Sequence, residues 1–241
     1  MRQVEGRRAV MEALEAGRPP DKVYALKGAE GLGAVLAAAR ARGAVIVECD
    51  RRGLDAMAQT GGHQGVIGLF APVSYAELDD LFLLAQQRGE PPLLVVCDGV
   101  EDEGNLGAII RCAEAAGAHG IVVPKRRSAG LSPVTVKTSA GAAEHLPVAR
   151  VPGIPACLRE LKERGVWIYG ADAAGSQSLF DTDFSGPSAI VAGAEGRGLS
   201  RLTAKSCDFL VSIPMKGKVG SLNVSAAAAV MLYQAVRTRG S

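Results

Sequence analysis

The chain is poor in aromatic residues: Phe, Trp and Tyr make up 4% of its 241 residues. Its core must therefore be built from Ala, Val, Leu and Ile. Cysteine is sparse as well. Cys49, Cys97, Cys112, Cys157 and Cys207 are widely spaced and odd in number, and no CxxC pair occurs. That pattern argues against a zinc site and against a disulfide framework. It reads as reduced thiols packed as small hydrophobes, with no metal expected. An excess of charge of either sign is missing, the formal net charge being +2. Near-neutrality neither demands nor excludes nucleic acid, because a local basic face matters more than the sum. No window approaches the roughly 18 uninterrupted apolar residues of a membrane span. The opening MRQVEGRRAVMEALEAG holds no apolar signal core. The expectation is a cytoplasmic protein without a membrane partner. Internal repeats and low-complexity tails are also lacking.

What is present is a run of short elements. Hydrophobic residues reach 48% and charged residues 22%, the balance of a globular chain, and 30 glycines imply many tight turns. Residues 7–16 have helical apolar spacing (Ala9/Val10, Ala13/Leu14) with Gly17 as a stop. Strands are expected over 22–26, 44–49 and 65–70, helices over 31–42 and 50–58, and a turn over 60–63. This makes a small alternating unit near the lower size for independent folding. Pro72 breaks the pattern, and Ser74 with Glu77 reads as a capping box opening a helix over 75–87. The second unit alternates more cleanly. Strands are expected over 93–97 (LLVVC), 120–123, 146–151, 166–169, 189–192 (AIVA) and 210–213. Helices are expected over 105–116, from 134, over 155–164 and over 225–237. Continuous apolar strands separated by helices imply an α/β fold with a parallel sheet covered on both faces. The divisions expected are 1–71 for the first unit, 72–92 for a linker and connecting helix, and 93–241 for the second unit.

Ligands of open α/β sheets gather beyond the carboxyl ends of the strands. Three such loops collect polar groups and glycines: DGVEDEGNLG after LLVVC, GAEGRGLS after AIVA, and PMKGKVGSLN after LVSI. GAEGRG fails the dinucleotide-binding template, being GxxGxG without a long helix opening on it, and no P-loop occurs. The glycines still allow backbone N–H and C=O groups to approach a ligand closely. Asn105 suits a helix cap. The histidines His63, His119 and His145 belong to no nucleophile motif and read as structural or RNA-facing.

Taken together, DGVEDEGNLGAIIRCAEAAGAHGIVVPK, IVAGAEGRGLS and VSIPMKGKVGSLNVSAAAAVMLYQAVRTR resemble the SpoU/TrmH family of RNA ribose 2′-O-methyltransferases, in the SPOUT class. They stand in the family order and spacing. SAGAAEHLPVARV and HQGV are similar to the bacterial subgroup that methylates a guanosine of large-subunit (23S) rRNA. The resemblance implies a C-terminal trefoil knot, a small N-terminal L30e-like domain that binds the RNA substrate, S-adenosylmethionine as cofactor, and a homodimer whose active sites draw on both subunits.

It also implies site residues. Arg111 is the activating group of the first motif, with Asn105, Glu195, Ser221 and Asn223 completing the catalytic set. Because guanidinium almost never deprotonates in proteins, Arg111 is read as binding the target phosphate and stabilising developing alkoxide character. Glu195 is read as orienting Arg111 or Asn223 by a charge-assisted hydrogen bond. Cofactor contacts fall on Gly193, Gly196, Ile213, Met215 and Leu222, and the loop from Gly170 and Ala171 closes a third side. RNA contacts are expected from Arg7, Arg8, Arg51 and Arg52, and from Lys125, Arg126, Arg127, Lys216 and Lys218. Within the family, a tRNA ribose methyltransferase or an antibiotic-resistance rRNA methyltransferase is the alternative. From another class, the alternative is a non-catalytic RNA-binding ribosome-assembly factor.

Overall fold

The computed structural model describes residues 2–18, 20–42, 44–70 and 75–240. The chain forms two compact units. The first takes Met1–Ser74 together with Leu131–His145, and the second takes Tyr75–Gly130 and Leu146–Ser241. The division drawn from sequence differs in leaving 131–145 with the second unit.

The first unit contains β1 (Arg2–Glu5), α1 (Arg7–Glu15), β2 (Pro20–Leu26), α2 (Gly33–Ala41), β3 (Val45–Cys49), α3 (Arg51–Met57) and β4 (Val66–Phe70). It also takes α6 (Pro133–Thr138) and a 3-10 turn at Ala142–Glu144. Its sheet order is β1-β4-β2-β3, with β4 antiparallel to both neighbours and β2 parallel to β3. Val10, Leu14, Val23, Val35, Val66 and Phe70 build its core. β1 escapes sequence reading because it carries one buried apolar residue, Val4, and ends in a buried acid. Glu5 is 2% exposed. Its carboxylate accepts from the Gln59 N–H at 2.6 Å, the Thr60 N–H at 3.1 Å, the Thr60 hydroxyl, and Gln3 Nε2 at 2.7 Å. Burial pushes the Glu5 carboxyl up, but the hydrogen bonds, that of the Thr60 hydroxyl foremost, hold it below its usual value.

The late segment of this unit is tied down by polar pairs. Ser132 caps α6 by accepting from the Thr135 N–H at 3.2 Å, with Pro133 in the first turn. Lys137 Nζ donates to Thr60 Oγ1 at 3.0 Å, and His145 Nε2 lies 2.8 Å from Glu12 Oε2. Arg18 and Glu144 form an ion pair at 2.5 Å.

The second unit contains α4 (Leu78–Arg88), β5 (Leu93–Asp98), α5 (Glu103–Ala115), β6 (Gly120–Pro124), β7 (Val148–Val151), α7 (Ile154–Glu163), β8 (Trp167–Ala171), β9 (Gln177–Ser178), β10 (Ser188–Gly193), α8 (Arg201–Ser206), β11 (Phe209–Ser212) and α9 (Val224–Arg239). Ser74 lies outside the described residues. α4 is capped by Glu77 instead, with Asp80 accepting from the Glu77 N–H at 2.8 Å. Seven strands run in the order β7-β6-β5-β10-β8-β11-β9, every neighbouring pair parallel. The runs LLVVC and SAIVAG are buried throughout, as a strand covered on both faces requires. One side of the sheet packs Leu94, Val96, Val122 and Val191 with Leu81 of α4 and Leu158 and Leu161 of α7. α9 returns to pack on α5 and β10.

Two polar devices secure this unit. Arg239, near the end of α9, donates to four carbonyls: Phe184 at 2.9 Å, Pro91 at 2.6 Å, Pro92 at 3.0 Å and Gly186 at 2.8 Å. Arg239→Ala is expected to cost about 2–3 kcal/mol, read as a lowered urea midpoint, because these acceptors lose a charged donor. His119 is fully buried; its Nδ1 accepts from the Leu93 N–H at 3.0 Å, which leaves Nε2 to donate to Glu90 at 3.0 Å. Burial pushes its pKa below the usual value, against the opposing pull of Glu90. The unfolded chain therefore takes up the proton first as pH falls. Stability from this group is complete above about pH 6.5 and is lost on acidification toward the folded pKa. The wild type should lose more urea resistance between pH 7.5 and 5.5 than His119→Gln does.

The five cysteines are free. Burial pushes the thiols of Cys97, Cys157 and Cys207 up to about 12, which makes them inert packing residues. Among the described residues no helix is long and apolar enough to cross a membrane, and no group of three or more His, Cys, Asp or Glu is placed to hold a metal.

Candidate active site

β5 and β10 lie side by side and end in register, Gly193 opposite Asp98. From there the chain diverges. β5 leads to β6 on one side, whereas β10 leads past β8 to β11 on the other. Adjacent strands with connections leaving in opposite directions create a crevice beyond their carboxyl ends. A cleft of about 400 Å³ occupies it.

The cleft has a glycine floor. A Cβ on Gly193 would fall 2.3 Å from the Gly198 carbonyl carbon and 2.4 Å from the Leu199 nitrogen. Only glycine lets the turn after β10 fold back this closely. That turn is a tight hairpin: the Ala194 N–H donates to Gly198 O at 2.9 Å and the Gly198 N–H to Ala194 O at 2.8 Å. Gly196 and Gly198 take φ values of 75° and 66°. Gly193, Gly196, Ile213, Met215 and Leu222 all line the cleft, as does Ser221. The third side is closed by Ala171, Asp172 and Ala173, one step beyond the Gly170–Ala171 expectation.

A second hollow of about 200 Å³ is lined by Gly99, Val100, Glu101, Asp102 and Asn105. It shares Ala194, Glu195, Arg197 and Val224 with the first. At this shared wall three side chains bind one another. Asn105 Nδ2 donates to Glu195 Oε2 at 3.1 Å, and Asn223 Nδ2 reaches Glu195 Oε1 at 3.2 Å and Asn105 Oδ1 at 3.0 Å. Each is fixed by its own backbone. Asp102, not Asn105, caps α5, its carboxylate accepting from the Asn105 N–H at 2.7 Å. That frees the Asn105 amide to point across the crevice. Asn223 caps α9, its Oδ1 accepting from the Ser225 N–H at 2.9 Å and hydroxyl at 2.6 Å. The loop before the alanine-rich helix thus ends in a residue that both starts the helix and belongs to the polar network.

Arg111 stands apart. It lies on α5 six residues after Asn105, and at 3.6 residues per turn that turns it well away from the Asn105 face. It is exposed, lines neither hollow, and has no hydrogen-bond or ion-pair partner among the described residues. Within the chain, Glu195 is hydrogen-bonded to Asn223 and Asn105, and no bond joins it to Arg111 among the described residues. Lys125, Arg126, Arg127, Lys216 and Lys218 are exposed. In the first unit Arg7 Nε donates to Gln64 O at 3.1 Å, Arg8 lies 3.8 Å from Glu12, and Arg51 lies 3.9 Å from Asp55. Arg52 is exposed. Four charged lining residues were not among the expected site residues: Glu101, Asp102, Asp172 and Arg197. The charge that Arg197 places inside GAEGRG was the available signal.

Solved structures share this architecture. The SpoU methyltransferase AviRb from Streptomyces viridochromogenes, in complex with the cofactor AdoMet, superposes with a TM-score of 0.84 at 30% identity, covering 98% of this chain and 89% of that one. An AdoMet-bound rRNA methyltransferase from Sinorhizobium meliloti gives 0.81 at 30% identity, over 99% and 88% of the two chains. Fold and site together define an α/β RNA methyltransferase.

Residues 92–233 match the SpoU rRNA methylase family, and residues 3–76 match the RNA 2′-O ribose methyltransferase substrate-binding family. The 23S rRNA (guanosine-2′-O-)-methyltransferase RlmB of Ralstonia nicotianae is 48% identical over 205 residues, 85% of this chain and 81% of that protein. YacO of Bacillus subtilis (strain 168), named for the TrmH family of tRNA/rRNA methyltransferases, is 45% identical over 241 residues, 98% of this chain and 95% of that protein. The chain belongs to the SpoU family of RNA methyltransferases.

Proposed function

We propose that the protein transfers a methyl group from S-adenosylmethionine to the ribose 2′-hydroxyl of a guanosine in 23S rRNA, acting in the cytoplasm. The observation that carries this is the Asn105–Glu195–Asn223 network standing between two hollows, one for a donor and one for an acceptor. The larger hollow suits the cofactor. Its volume of about 400 Å³ lies within the range of small-molecule sites. Gly193 and Gly196 would give backbone access, and Ile213, Met215 and Leu222 apolar walls. When bound, S-adenosylmethionine supplies an electrophilic methyl group on a sulfonium.

The chain's own residues then have to place the hydroxyl and stabilise its developing charge. Glu195, held by two amides, presents a fixed carboxylate at the shared wall, and Asn105 and Asn223 fix its direction. Ser221 closes the donor side. Arg111 binds the target phosphate and stabilises alkoxide character, the proton leaving to phosphate or water, since guanidinium is no base at neutral pH. Its placement away from both hollows supports a homodimer in which a second copy brings its arginine to the site. The first unit, carrying Arg7, Arg8, Arg51 and Arg52, is the L30e-like RNA-binding unit. Its partners in binding RNA are Lys125, Arg126, Arg127, Lys216 and Lys218. The return of α9 across the sheet supports a knotted C-terminus.

Guanosine in 23S rRNA is favoured over tRNA by the likeness to RlmB of Ralstonia nicotianae over both units. The test is methylation of unmodified 23S rRNA and of tRNA, followed by mapping of the modified nucleotide. A 2′-O-methylguanosine in 23S rRNA is expected, and methylation confined to tRNA would overturn the substrate assignment. Calorimetry showing no binding of S-adenosylmethionine would point to a non-catalytic assembly factor instead.

A further inference from the structure

We propose that Arg197 binds a phosphate of the RNA chain beside the target ribose, a role that rests on the methyl-transfer reading above. Among the described residues that line the two hollows, Arg197 is the single cationic side chain. It is also one of the few residues common to both. A hydroxyl accepting a group from the larger hollow must sit at the wall the hollows share. A ribose 2′-hydroxyl there carries its 3′-phosphate on the neighbouring ribose carbon, so the anion arrives at the same wall.

Apart from Arg197, the charged side chains that this chain contributes to the two hollows are acidic. Glu101, Asp102 and Glu195 line the acceptor hollow and Asp172 the cleft. Unopposed, these carboxylates repel a nucleic-acid backbone. Glu195 is committed to the two asparagine amides and Asp102 to the Asn105 N–H. Asp172 accepts from the Ala174 N–H at 2.8 Å. Arg197 itself has no hydrogen-bond or ion-pair partner among the described residues and is exposed, so its planar fork is free to take two phosphate oxygens. It is not carried on a loose loop. The paired Ala194–Gly198 hydrogen bonds lock the hairpin, and the close approach of Gly193 to Gly198 fixes that hairpin on the sheet. A rigid base reduces the ordering cost of gripping the ligand.

The decisive comparison uses wild type, Arg197→Ala and Arg197→Lys in the full chain, with S-adenosylmethionine affinity from calorimetry and 23S rRNA transcript binding and methylation over a salt series. Arg197→Ala is expected to raise the RNA KM about tenfold, the cost of one charge-assisted contact. Its RNA-binding salt slope should be shallower by about 0.7, one phosphate contact on single-stranded RNA. Its affinity for S-adenosylmethionine should stay within about twofold of wild type. Arg197→Lys should restore the slope but only part of the KM, since an ammonium is a point charge without the fork. An unchanged RNA slope and KM in Arg197→Ala overturns the proposal. So does a loss of S-adenosylmethionine affinity with RNA binding intact, which would place the arginine on the cofactor carboxylate. If the wild type binds RNA but methylates none, the methyl-transfer reading fails on its own, and the salt slope still decides whether Arg197 holds phosphate.

Discussion

Replacing Glu195 by glutamine is expected to lower the single-turnover methylation rate about 10²-fold or more while moving the thermal midpoint by no more than about 2 °C. The carboxylate is exposed, so little folding energy rests on it. Its value lies in accepting from two amide donors at once, Asn105 Nδ2 at 3.1 Å and Asn223 Nδ2 at 3.2 Å. Glutamine keeps one acceptor and sets an NH2 group against the other donor. One asparagine must then turn. Asn223 is anchored by capping α9 through its Oδ1, so the rotation falls on Asn105 or on the glutamine itself. Either way the wall between the hollows loses its shape and its negative charge together. Glu195→Asp keeps the charge but shortens the reach, and should fall between wild type and glutamine. Asn105→Ala should resemble Glu195→Gln. The double variant should be little worse than either single one, because residues of one network act as a unit. A double variant whose losses simply multiply would show that the two side chains act independently.

The parallel sheet and its crevice were legible because their signals are local. LLVVC and AIVA are unbroken apolar runs bounded by turns, and such runs have few alternatives to a buried strand. The cleft residues Gly193, Gly196, Ile213, Met215 and Leu222 came from motifs in register, and the structure brings all five to one cavity. What stayed hidden depends on contacts distant in sequence. β1 is a strand because its backbone pairs with β4, and its buried Glu5 is satisfied by donors at Gln59 and Thr60; no periodicity in RQVE announces either. Residues 131–145 join the first unit through Glu12, Arg18 and Thr60, partners far back in the chain. At the site itself, Asp102 and Asn105 are both plausible caps. Only the fold shows that Asp102 takes the role and releases Asn105 to Glu195. Arg111 is a question of helix phase. Six residues separate it from Asn105, and the two fall on different faces of α5.

Glu144→Ala is expected to destabilise the first unit by about 3–5 kcal/mol, enough to unfold it at modest urea concentrations. The Glu144 side chain is 0% exposed and that of Arg18 is 19% exposed, with Nε and Oε2 2.5 Å apart. Burial lowers the pKa of Arg18 and the Glu144 carboxylate opposes that shift; the guanidinium is charged with or without its partner. Removing the carboxylate strands a cation in a site that water reaches poorly. Glu144→Gln keeps the shape without the charge and should cost nearly as much. Removing both charges is a different matter, because neither ion then needs desolvation. Arg18→Met combined with Glu144→Leu should recover most of the loss, and that contrast separates a buried pair from a surface one. Urea unfolding monitored on the first unit provides the measurement, and a single-variant loss below about 1 kcal/mol would mean the pair is solvated. The consequence extends along the late segment. Glu144 sits beside His145, which pairs with Glu12, in the stretch that also carries Lys137 toward Thr60. Losing the ion pair should therefore free residues 131–145 before the sheet of the first unit opens, and amide exchange in α6 should accelerate ahead of exchange in β2 and β4.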